Sequence, residues 1–385
     1  MSVLPQLERE LLAAHDWRRR RGSAARMLDG LRSGGGPAIL AGGALIAAAV
    51  VAVVVVLGAP GRSSPGSRPG PAAVVAGLHA EVLLRNVEVP RIYTAGGRVY
   101  LNASVPAHAG NAVVRVDGRG RQWRRGIPDP INSMILAGGR LWVTTNDPNG
   151  ITRLWQLNAD SLTPLGAPIV LPGSGTGNFV GELAATPGRL WVSNGDRIDS
   201  VPLGAGRVTS IAPLPSWGYD IAAQGTTLYY TGGEGNPGTH AFLGRLDVGG
   251  SSPPVLKRLV EPYAPSIAGV GGGAAIWIAR FDGRRIIAER WRQRNLVRVA
   301  GTRAIVGFKG LGITLAGGIL WVSQSGAGPG DVYCADPVTG ERRASLSLPA
   351  HVQFLGADER YVYYSIGLPR SAPELARAPI DPRCR

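Results

Sequence analysis

Lysine is almost absent from this chain of 385 residues, and cysteine is equally rare. The two lysines are Lys257 and Lys309, so arginine supplies nearly all of the positive charge, which we attribute to the composition bias of the source. The two cysteines are Cys334 and Cys384, and neither belongs to a C-x-x-C motif. The motifs H-E-x-x-H and G-x-S-x-G are absent as well. These absences argue against a zinc site, and the sequence predicts neither a metal nor a cofactor.

The remaining short motifs are weak evidence for a nucleotide or metal site. The stretch "GEGNPG" (233–238) fits G-x-G-x-x-G, but it contains a proline, lies between two predicted strands and opens no helix, so it does not predict a nucleotide site. No histidine beyond the hydrophobic run has a second histidine or an acidic residue at metal-ligand spacing. In "NDPNG" (146–150), Asn146, Asp147 and Asn149 offer oxygens to calcium, but an ordinary polar turn explains them better.

The formal net charge of +15 is scattered along the chain. Residues 1–36 hold seven arginines and four acidic residues, and "WRRRR" (17–21) is the densest basic run. No basic helix with interleaved aromatic residues follows. We therefore predict a solvated basic surface and no nucleic-acid partner.

One long hydrophobic run stands out, "PAILAGGALIAAAVVAVVVVL" (37–57), which contains no charged residue. About 20 such residues cross a bilayer as a helix. A cleaved signal peptide has a shorter apolar region, so we predict a retained signal anchor. The arginines before the run keep the N-terminus cytoplasmic by the positive-inside rule. The chain is thus predicted to be a single-pass cell-membrane protein whose C-terminal part is extracytoplasmic.

The flanking segments differ in composition. Within residues 1–36, Leu4, Leu7 and Leu11 recur at helical spacing, which predicts a short amphipathic helix. Residues 1–16 then either lie on lipid headgroups or dock a cytoplasmic partner. Residues 58–79 begin with the Gly/Ser/Pro-rich "GAPGRSSPGSRPGPAA" (58–73) and are predicted to form a linker.

An internal repeat organises residues 80–385. A turn, a short apolar run and an aromatic residue recur seven times, at intervals of 38 to 49 residues. Room for about four strands per interval predicts an all-β propeller of four-stranded antiparallel blades. The aromatic residues of the repeat are Tyr100, Trp142, Trp191, Tyr229, Trp277, Trp321 and Tyr363.

The two ends of the repeat region complement each other. The seventh unit stops after its third strand, at "ELARAPID" (374–381), whereas "EVLLRNVEV" (81–89) precedes the first unit and resembles a fourth strand. Pairing the two would close the ring and remove two sheet edges. Seven blades therefore fit better than six or eight.

The stretch "LWVTTNDPNGITRLWQLNADS" (141–161) resembles the YVTN-type repeat. Residues 80–385 as a whole resemble the bacterial YVTN/streptogramin-lyase-like superfamily of seven-bladed β-propellers, which implies the fold but not one activity. Streptogramin lyases use histidine and glutamate on adjacent blades with a magnesium ion. No cluster here matches that set residue by residue, and His240 with Glu234 comes nearest.

The four tryptophans of the repeat are predicted to fill the wedges between blades, rather than to surround a ligand in the channel. Cys334 lies in a third strand and Cys384 just beyond the last strand, in the neighbouring blade. The two cysteines therefore either form a bridge that ties down the C-terminal tail or remain free thiols.

The longer loops of the predicted blades emerge on one face, which we call the loop face. It carries the loops between the second and third strands and those between blades, and binding residues concentrate in such loops. The sequence predicts a non-catalytic module that recognises a protein, a peptide or a cell-wall ligand there. The alternative is an exported lyase or hydrolase, which a titratable cluster around the channel would favour. The candidate ligand-binding residues are Asp147, Phe179, Trp217, Tyr219, Asp220, Tyr263, Arg280 and Asp282.

Overall fold

The computed structural model describes most of the chain beyond residue 72. The described residues are 73–75, 78–85, 88–95, 97–105, 108–172, 181–204, 208–214, 218–233, 241–250, 254–259, 266–270, 275–281, 286–302, 304–307, 311–324, 330–348, 352–367 and 373–385. The predicted cytoplasmic helix and signal anchor lie outside these residues. No helix within them is long and apolar enough to span a bilayer.

Twenty-nine β-strands form seven antiparallel sheets within the described residues. Two strands precede the first complete sheet, namely β1 (Ala73–Val75) and β2 (Leu78–Leu84). Blade 1 contains β3 (Glu88–Ala95), β4 (Arg98–Val105), β5 (His108–Val116) and β6 (Gln122–Ile127). Blade 2 contains β7 (Ile131–Ala137), β8 (Arg140–Asn146), β9 (Thr152–Asn158) and β10 (Ile169–Val170). Blade 3 contains β11 (Leu183–Thr186), β12 (Arg189–Asn194), β13 (Arg197–Pro202) and β14 (Thr209–Pro213).

Blades 4 to 7 continue the same order. Their strands are β15 (Gly218–Gln224), β16 (Thr227–Gly232), β17 (Phe242–Asp247), β18 (Val255–Arg258); β19 (Ser266–Val270), β20 (Ala275–Phe281), β21 (Ile286–Arg292), β22 (Ile305–Gly307); β23 (Leu311–Ala316), β24 (Ile319–Gln324), β25 (Gly330–Ala335), β26 (Arg342–Leu348); and β27 (Val352–Ala357), β28 (Tyr361–Ile366), β29 (Glu374–Pro379). A single 3₁₀ turn, η1 (Pro382–Cys384), follows.

The first strands of the seven sheets surround a common axis. Each contacts the first strand of the next sheet in chain order, and β27 contacts β3. The fold is therefore a seven-bladed β-propeller with four-stranded antiparallel blades. The predicted fold class of residues 80–385 is confirmed at this level.

The ring closes by the predicted pairing of its two ends, but the closing strand ends earlier than predicted. In blade 7 the order is β1-β2-β29-β28-β27, so β2 supplies the fourth strand and β1 adds a fifth. The predicted closing strand was 81–89, but β2 ends at Leu84, and Glu88 already belongs to the first strand of blade 1. Strand β1 and the first two residues of β2 lie within the predicted linker 58–79. Strand β2 pairs with β29, and its Leu83 and Leu84 are buried.

Tight turns join first and second strands, as the sequence predicted. Gly138 and Gly139 have φ angles of 58° and 72°, and Gly317 and Gly318 have 57° and 71°. Two consecutive residues in this left-handed region make a type I′ turn, which matches the twist of a hairpin and favours glycine.

The core lies between neighbouring blades. All seven repeat aromatics sit on second strands and are at most 4% exposed. Trp142 packs with Leu190 and Val201 of blade 3, and Trp191 packs with Leu228 of blade 4. Their indole groups donate to Ala137 O at 3.2 Å and Thr186 Oγ1 at 2.8 Å. The packing role predicted for the tryptophans is confirmed, since these side chains fill wedges between sheets.

Candidate functional site

The loop face is built by the ends of strands. Every first strand starts at this face, because the connections between blades arrive there, and the loops between second and third strands emerge there too. Four predicted ligand-binding residues are described, namely Asp147, Tyr219, Asp220 and Arg280. The other four lie outside the described residues, namely Phe179, Trp217, Tyr263 and Asp282.

Asp147 supports its own turn. Its Oδ1 accepts hydrogen bonds from Asn149 N at 2.8 Å and Ile151 N at 2.9 Å, and its Oδ2 pairs with Arg153 Nη2 at 3.0 Å. Burial opposes ionisation, but these hydrogen bonds and Arg153 outweigh it and lower the pKa of Asp147. The Asp147 side chain is only 9% exposed, and these contacts stabilise its own turn.

Arg280 is held in an ion pair within blade 5. Its Nε lies 2.8 Å from Glu289 Oε2 on the adjacent third strand, and Glu289 Oε1 lies 3.1 Å from Arg298 Nε. Glu289 is 4% exposed, so the carboxylate of this ion pair is buried. The structure thus places Arg280 on a second strand, apart from Tyr219 and Asp220 on a first strand.

Tyr219 and Asp220 lie where β15 begins. The register between β15 and β16 shifts between Gly218 and Asp220, which leaves Tyr219 as the extra residue of a β-bulge. Bulges re-aim side chains, and Tyr219 is 49% exposed. Glycine at position 218 lets the chain pass close to blade 3, since a Cβ there would lie 2.4 Å from Ser193 Oγ of that blade.

Asp220 is a half-buried carboxyl that two backbone amides hold in place. Ile221 N donates to Oδ1 at 2.8 Å, and Ile267 N of blade 5 donates to Oδ2 at 2.7 Å. Burial and the nearby negative charge of Glu182 raise the pKa of Asp220 to about 7, although the two amides and Arg91 act in the opposite direction. Asp220 therefore changes charge near neutral pH.

Arg91 connects three blades at the same end of the channel. From β3 of blade 1, its Nη1 donates to Asn132 O of blade 2 at 2.5 Å and to Glu182 Oε1 of blade 3 at 2.7 Å. The Arg91 side chain is 59% exposed and that of Glu182 is 22% exposed. Arg91 also lies near Tyr219 and Asp220 of blade 4. Burial lowers the pKa of Arg91, but Glu182 and these two residues outweigh burial and raise it. We call Arg91, Glu182, Tyr219 and Asp220 the channel-mouth cluster.

Sequence reasoning identified Tyr219 and Asp220 but missed Arg91 and Glu182. A signal for Glu182 was present, because "GELAAT" (181–186) matches "GYDIAAQ" (218–224) once the bulged Tyr219 is left out. Glu182 and Asp220 are thus equivalent residues of successive blades. Arg91 had no such signal, since its partners are 41 and 91 residues away.

Two further expectations concern cysteine and metals. Of the two alternatives for Cys334 and Cys384, the structure has the disulfide, with 5.6 Å between the Cα atoms. The bond joins β25 of blade 6 to η1 after blade 7. Among the described residues, no three His, Cys, Asp or Glu side chains lie close enough together to hold a metal ion.

Solved propellers resemble this fold at low sequence identity. The WD40 domain of coronin from Toxoplasma gondii is 12% identical with a TM-score of 0.52, covering 83% of this chain and 90% of that one. A chain of a mitotic checkpoint complex is 12% identical with a TM-score of 0.53, covering 83% and 99%. A prolyl endopeptidase is 15% identical with a TM-score of 0.52, covering 78% of this chain and 49% of that one, so this chain spans about half its length.

These likenesses show the fold alone. No protein-family model and no curated protein sequence matches the chain. The resemblance to the YVTN-type superfamily therefore stays a prediction from the repeat, whereas the propeller architecture is shown.

Proposed function

We propose that this protein is a membrane-anchored, extracytoplasmic recognition module whose propeller binds a protein, peptide or wall-derived ligand on the loop face. The hydrophobic run 37–57 supports the anchor, and the arginines before it support a cytoplasmic N-terminus. Protease protection in intact cells tests this topology, with cleavage of the propeller from outside expected. An interaction partner that is lost on deleting residues 1–16 would support the docking role of the N-terminal helix.

The channel-mouth cluster is the observation that carries the binding proposal. It combines an exposed aromatic ring with an arginine and two carboxyl groups drawn from blades 1, 3 and 4. Three of these side chains lie on first strands and Glu182 directly precedes one, so little conformational entropy is lost when a ligand binds. An exposed tyrosine beside charged hydrogen-bonding groups is a composition that protein interfaces favour.

The test is an affinity capture with the full chain in detergent, followed by intact-mass analysis of what is retained. Replacing Tyr219 with Ala should weaken retention of the captured ligand about tenfold or more, because the tyrosine supplies the exposed contact area. Val170 is also exposed, on the outer strand of blade 2, so V170A is the matched control. Equal retention by wild type, Y219A and V170A would contradict binding at the channel mouth.

An exported lyase or hydrolase is the second candidate function, and Asp220 favours it. A carboxyl group whose pKa is raised to about 7 beside a second carboxyl is suited to general acid–base work. The intact mass of the captured ligand distinguishes recognition from catalysis. A captured ligand recovered unchanged supports recognition, whereas a mass change with wild type that D220N abolishes supports an enzyme.

A further inference from the structure

One residue of each blade occupies the same register position at the channel mouth. It lies on the first strand or directly before it, opposite the second-strand residue that follows the repeat aromatic by two positions. The charged residues at this position belong to blades 1, 3 and 4, so two carboxyl groups share one guanidinium group. The seven residues, in blade order, are Arg91, Ser133, Glu182, Asp220, Ser266, Gly312 and Gln353.

Arg91 engages Glu182 through a single nitrogen atom. Its Nη1 donates to Glu182 Oε1 at 2.7 Å and to Asn132 O at 2.5 Å, which directs the guanidinium group towards blades 2 and 3. The Glu182 side chain is 22% exposed. Within the described residues Oε2 of Glu182 has no hydrogen-bond donor, which leaves this oxygen as the ligand-accessible end of the carboxylate.

The charge of Asp220 is compensated less completely than that of Glu182. Each Asp220 oxygen accepts one backbone N–H, from Ile221 at 2.8 Å and from Ile267 at 2.7 Å, but no arginine or lysine of the described residues forms an ion pair with it. Burial and Glu182 raise the pKa of Asp220 to about 7, against the effect of Arg91. When Asp220 is ionised, the channel-mouth cluster carries one uncompensated negative charge.

Three buried polar side chains of second strands lie directly opposite the charged residues. Residues paired across antiparallel strands project from the same face of the sheet. All three are at most 7% exposed, and each has an oxygen without a hydrogen-bond partner in the described part of the chain. These oxygens are Asn102 Oδ1, Ser193 Oγ and Thr231 Oγ1, opposite Arg91, Glu182 and Asp220 in that order. The interior of the site therefore presents oxygens that accept hydrogen bonds.

Two β-bulges place further side chains beside the cluster. Tyr219 is the bulged residue of blade 4 and is 49% exposed. Asn132 is the bulged residue of blade 2, and its buried Nδ2 has no acceptor among the described residues. An exposed aromatic ring attracts a cation, and an amide Nδ2 donates to a carbonyl oxygen. The two side chains therefore fit a peptide that carries a positive charge.

We propose, resting on the recognition function proposed above, that the channel mouth binds a primary ammonium group of a peptide, placed between Glu182 and Asp220 and against the Tyr219 ring. The group is a lysine side chain or an α-amino terminus. An ammonium group has three diverging donors and takes one oxygen from each of several groups, whereas a guanidinium group matches both oxygens of one carboxylate. Arg91 and the two amides already occupy part of each carboxylate, so the ammonium group fits better.

The experiment is a calorimetric titration of the full chain, in micelles of an uncharged detergent, with five tripeptides. Four are acetylated and amidated, with Lys, Arg, Glu or Ala between two alanines, and the fifth is Ala-Ala-Ala-amide with a free amino group. At least one of the two ammonium peptides should bind about tenfold more tightly than the Ala and Glu peptides. It should also bind about threefold more tightly than the Arg peptide.

A pair of variants with the same change tests the site. E182Q removes one negative charge but keeps the oxygen that Arg91 binds, and it should weaken binding of the preferred ammonium peptide about tenfold or more. E374Q is the matched control, because Glu374 of blade 7 is 20% exposed and pairs with Arg85 at 3.8 Å. E374Q should leave binding unchanged. If thermal unfolding shows that E182Q does not fold, D220N carries the test, with the same loss expected.

The outcomes separate this inference from the recognition function. Tight binding of either ammonium peptide supports it, and the tighter one identifies the source of the group. Equal binding of the Ala peptide, equal or tighter binding of the Arg peptide, equal weakening by E182Q and E374Q, or no binding of any peptide would each overturn it. Preference for the Glu peptide, together with a captured ligand that Y219A loses, would leave recognition at the channel mouth standing and refute the ammonium group alone.

Discussion

Gly218 occupies the first position of β15, where the chain passes against blade 3. A side chain there would meet Ser193 Oγ at 2.4 Å and Leu214 Cδ1 at 2.7 Å. Glycine at this position therefore allows the bulge that exposes Tyr219. Gly181, before Glu182, also passes close to the preceding blade, since a Cβ there would lie 3.0 Å from Thr144 Cβ.

We expect G218A to lower the free energy of unfolding by about 1–3 kcal/mol, because the added methyl group overpacks the contact with blade 3. Urea denaturation followed by circular dichroism measures the change. Gly126 in β6 has no atom within 4 Å of a built Cβ, so G126A is the control and should change stability by less than about 0.5 kcal/mol. Equal effects of the two substitutions would contradict the steric explanation.

The raised pKa of Asp220 predicts a definite pH dependence of stability. The folded protein holds this proton up to about pH 7, whereas the unfolded chain releases it near pH 4. Between these values the folded state binds more protons, so stability falls as pH rises. D220N should reduce that fall by about 4 kcal/mol, measured as the difference in unfolding free energy between pH 4 and pH 8.

Asp147 provides a control, because its effect on the pH dependence of stability has the opposite sign. Its lowered pKa stabilises the folded state above pH 4, and that contribution is lost as pH falls further. D147N should therefore change the profile below pH 4 and leave the range from pH 4 to pH 8 unaltered. A D220N profile parallel to that of wild type throughout would show that Asp220 does not titrate near neutrality.

At the scale of elements, the turn after the third strand sets the contacts between blades. Residues 158–163 and 292–297 adopt one backbone, yet one presents Asp160 and the other Arg294. In blade 6, the corresponding region is tied differently, because Cys334 on β25 is bonded to Cys384 in η1. The C-terminal residues thus pack against blade 6 although they follow blade 7.

Removing the disulfide should destabilise the protein by about 2–4 kcal/mol, because the bond closes a loop between cysteines 50 residues apart. The double variant C334S/C384S tests this by denaturant unfolding. The wild-type protein under reducing conditions should have the same free energy of unfolding as the double variant. Two reactive thiols in the unreduced wild-type protein would show that the bond is absent.

At the scale of the whole molecule, the first and last strands of the propeller form one blade. Val82 and Leu84 of β2 pair with Ala376 and Leu375 of β29, which protects both edges. Arg377 and Glu81 add an ion pair across the same junction. The ring is therefore held closed by hydrogen bonds between residues almost 300 positions apart.

A chain that begins at residue 85 should lose more than about 3 kcal/mol of stability relative to one that begins at residue 73. The shorter chain lacks β1 and β2, whose buried Val82, Leu83 and Leu84 close blade 7. Thermal unfolding measures the difference, and light scattering detects pairing of the exposed edge. Equal stability of the two chains would contradict closure by β2.

The repeat itself made the architecture predictable. Seven buried aromatics, tight glycine turns and the complementary ends are local patterns, and each depends on residues within one blade. The exact start of the closing strand was not predictable, because burial of Leu83 depends on a partner strand at the other end of the chain. For the same reason, the ion pairs of Asp147 with Arg153 and of Arg280 with Glu289 were not predictable from the sequence.

The sequence by itself determined the blade count, the antiparallel order and the packing role of the tryptophans, because hydrophobic periodicity and turn chemistry act over a few residues. Only the tertiary structure brought Arg91, Glu182 and Asp220 together. Such clusters depend on which blades become neighbours in the ring and on the direction of single side chains. Charges far apart in the chain interact only after folding has brought them close together.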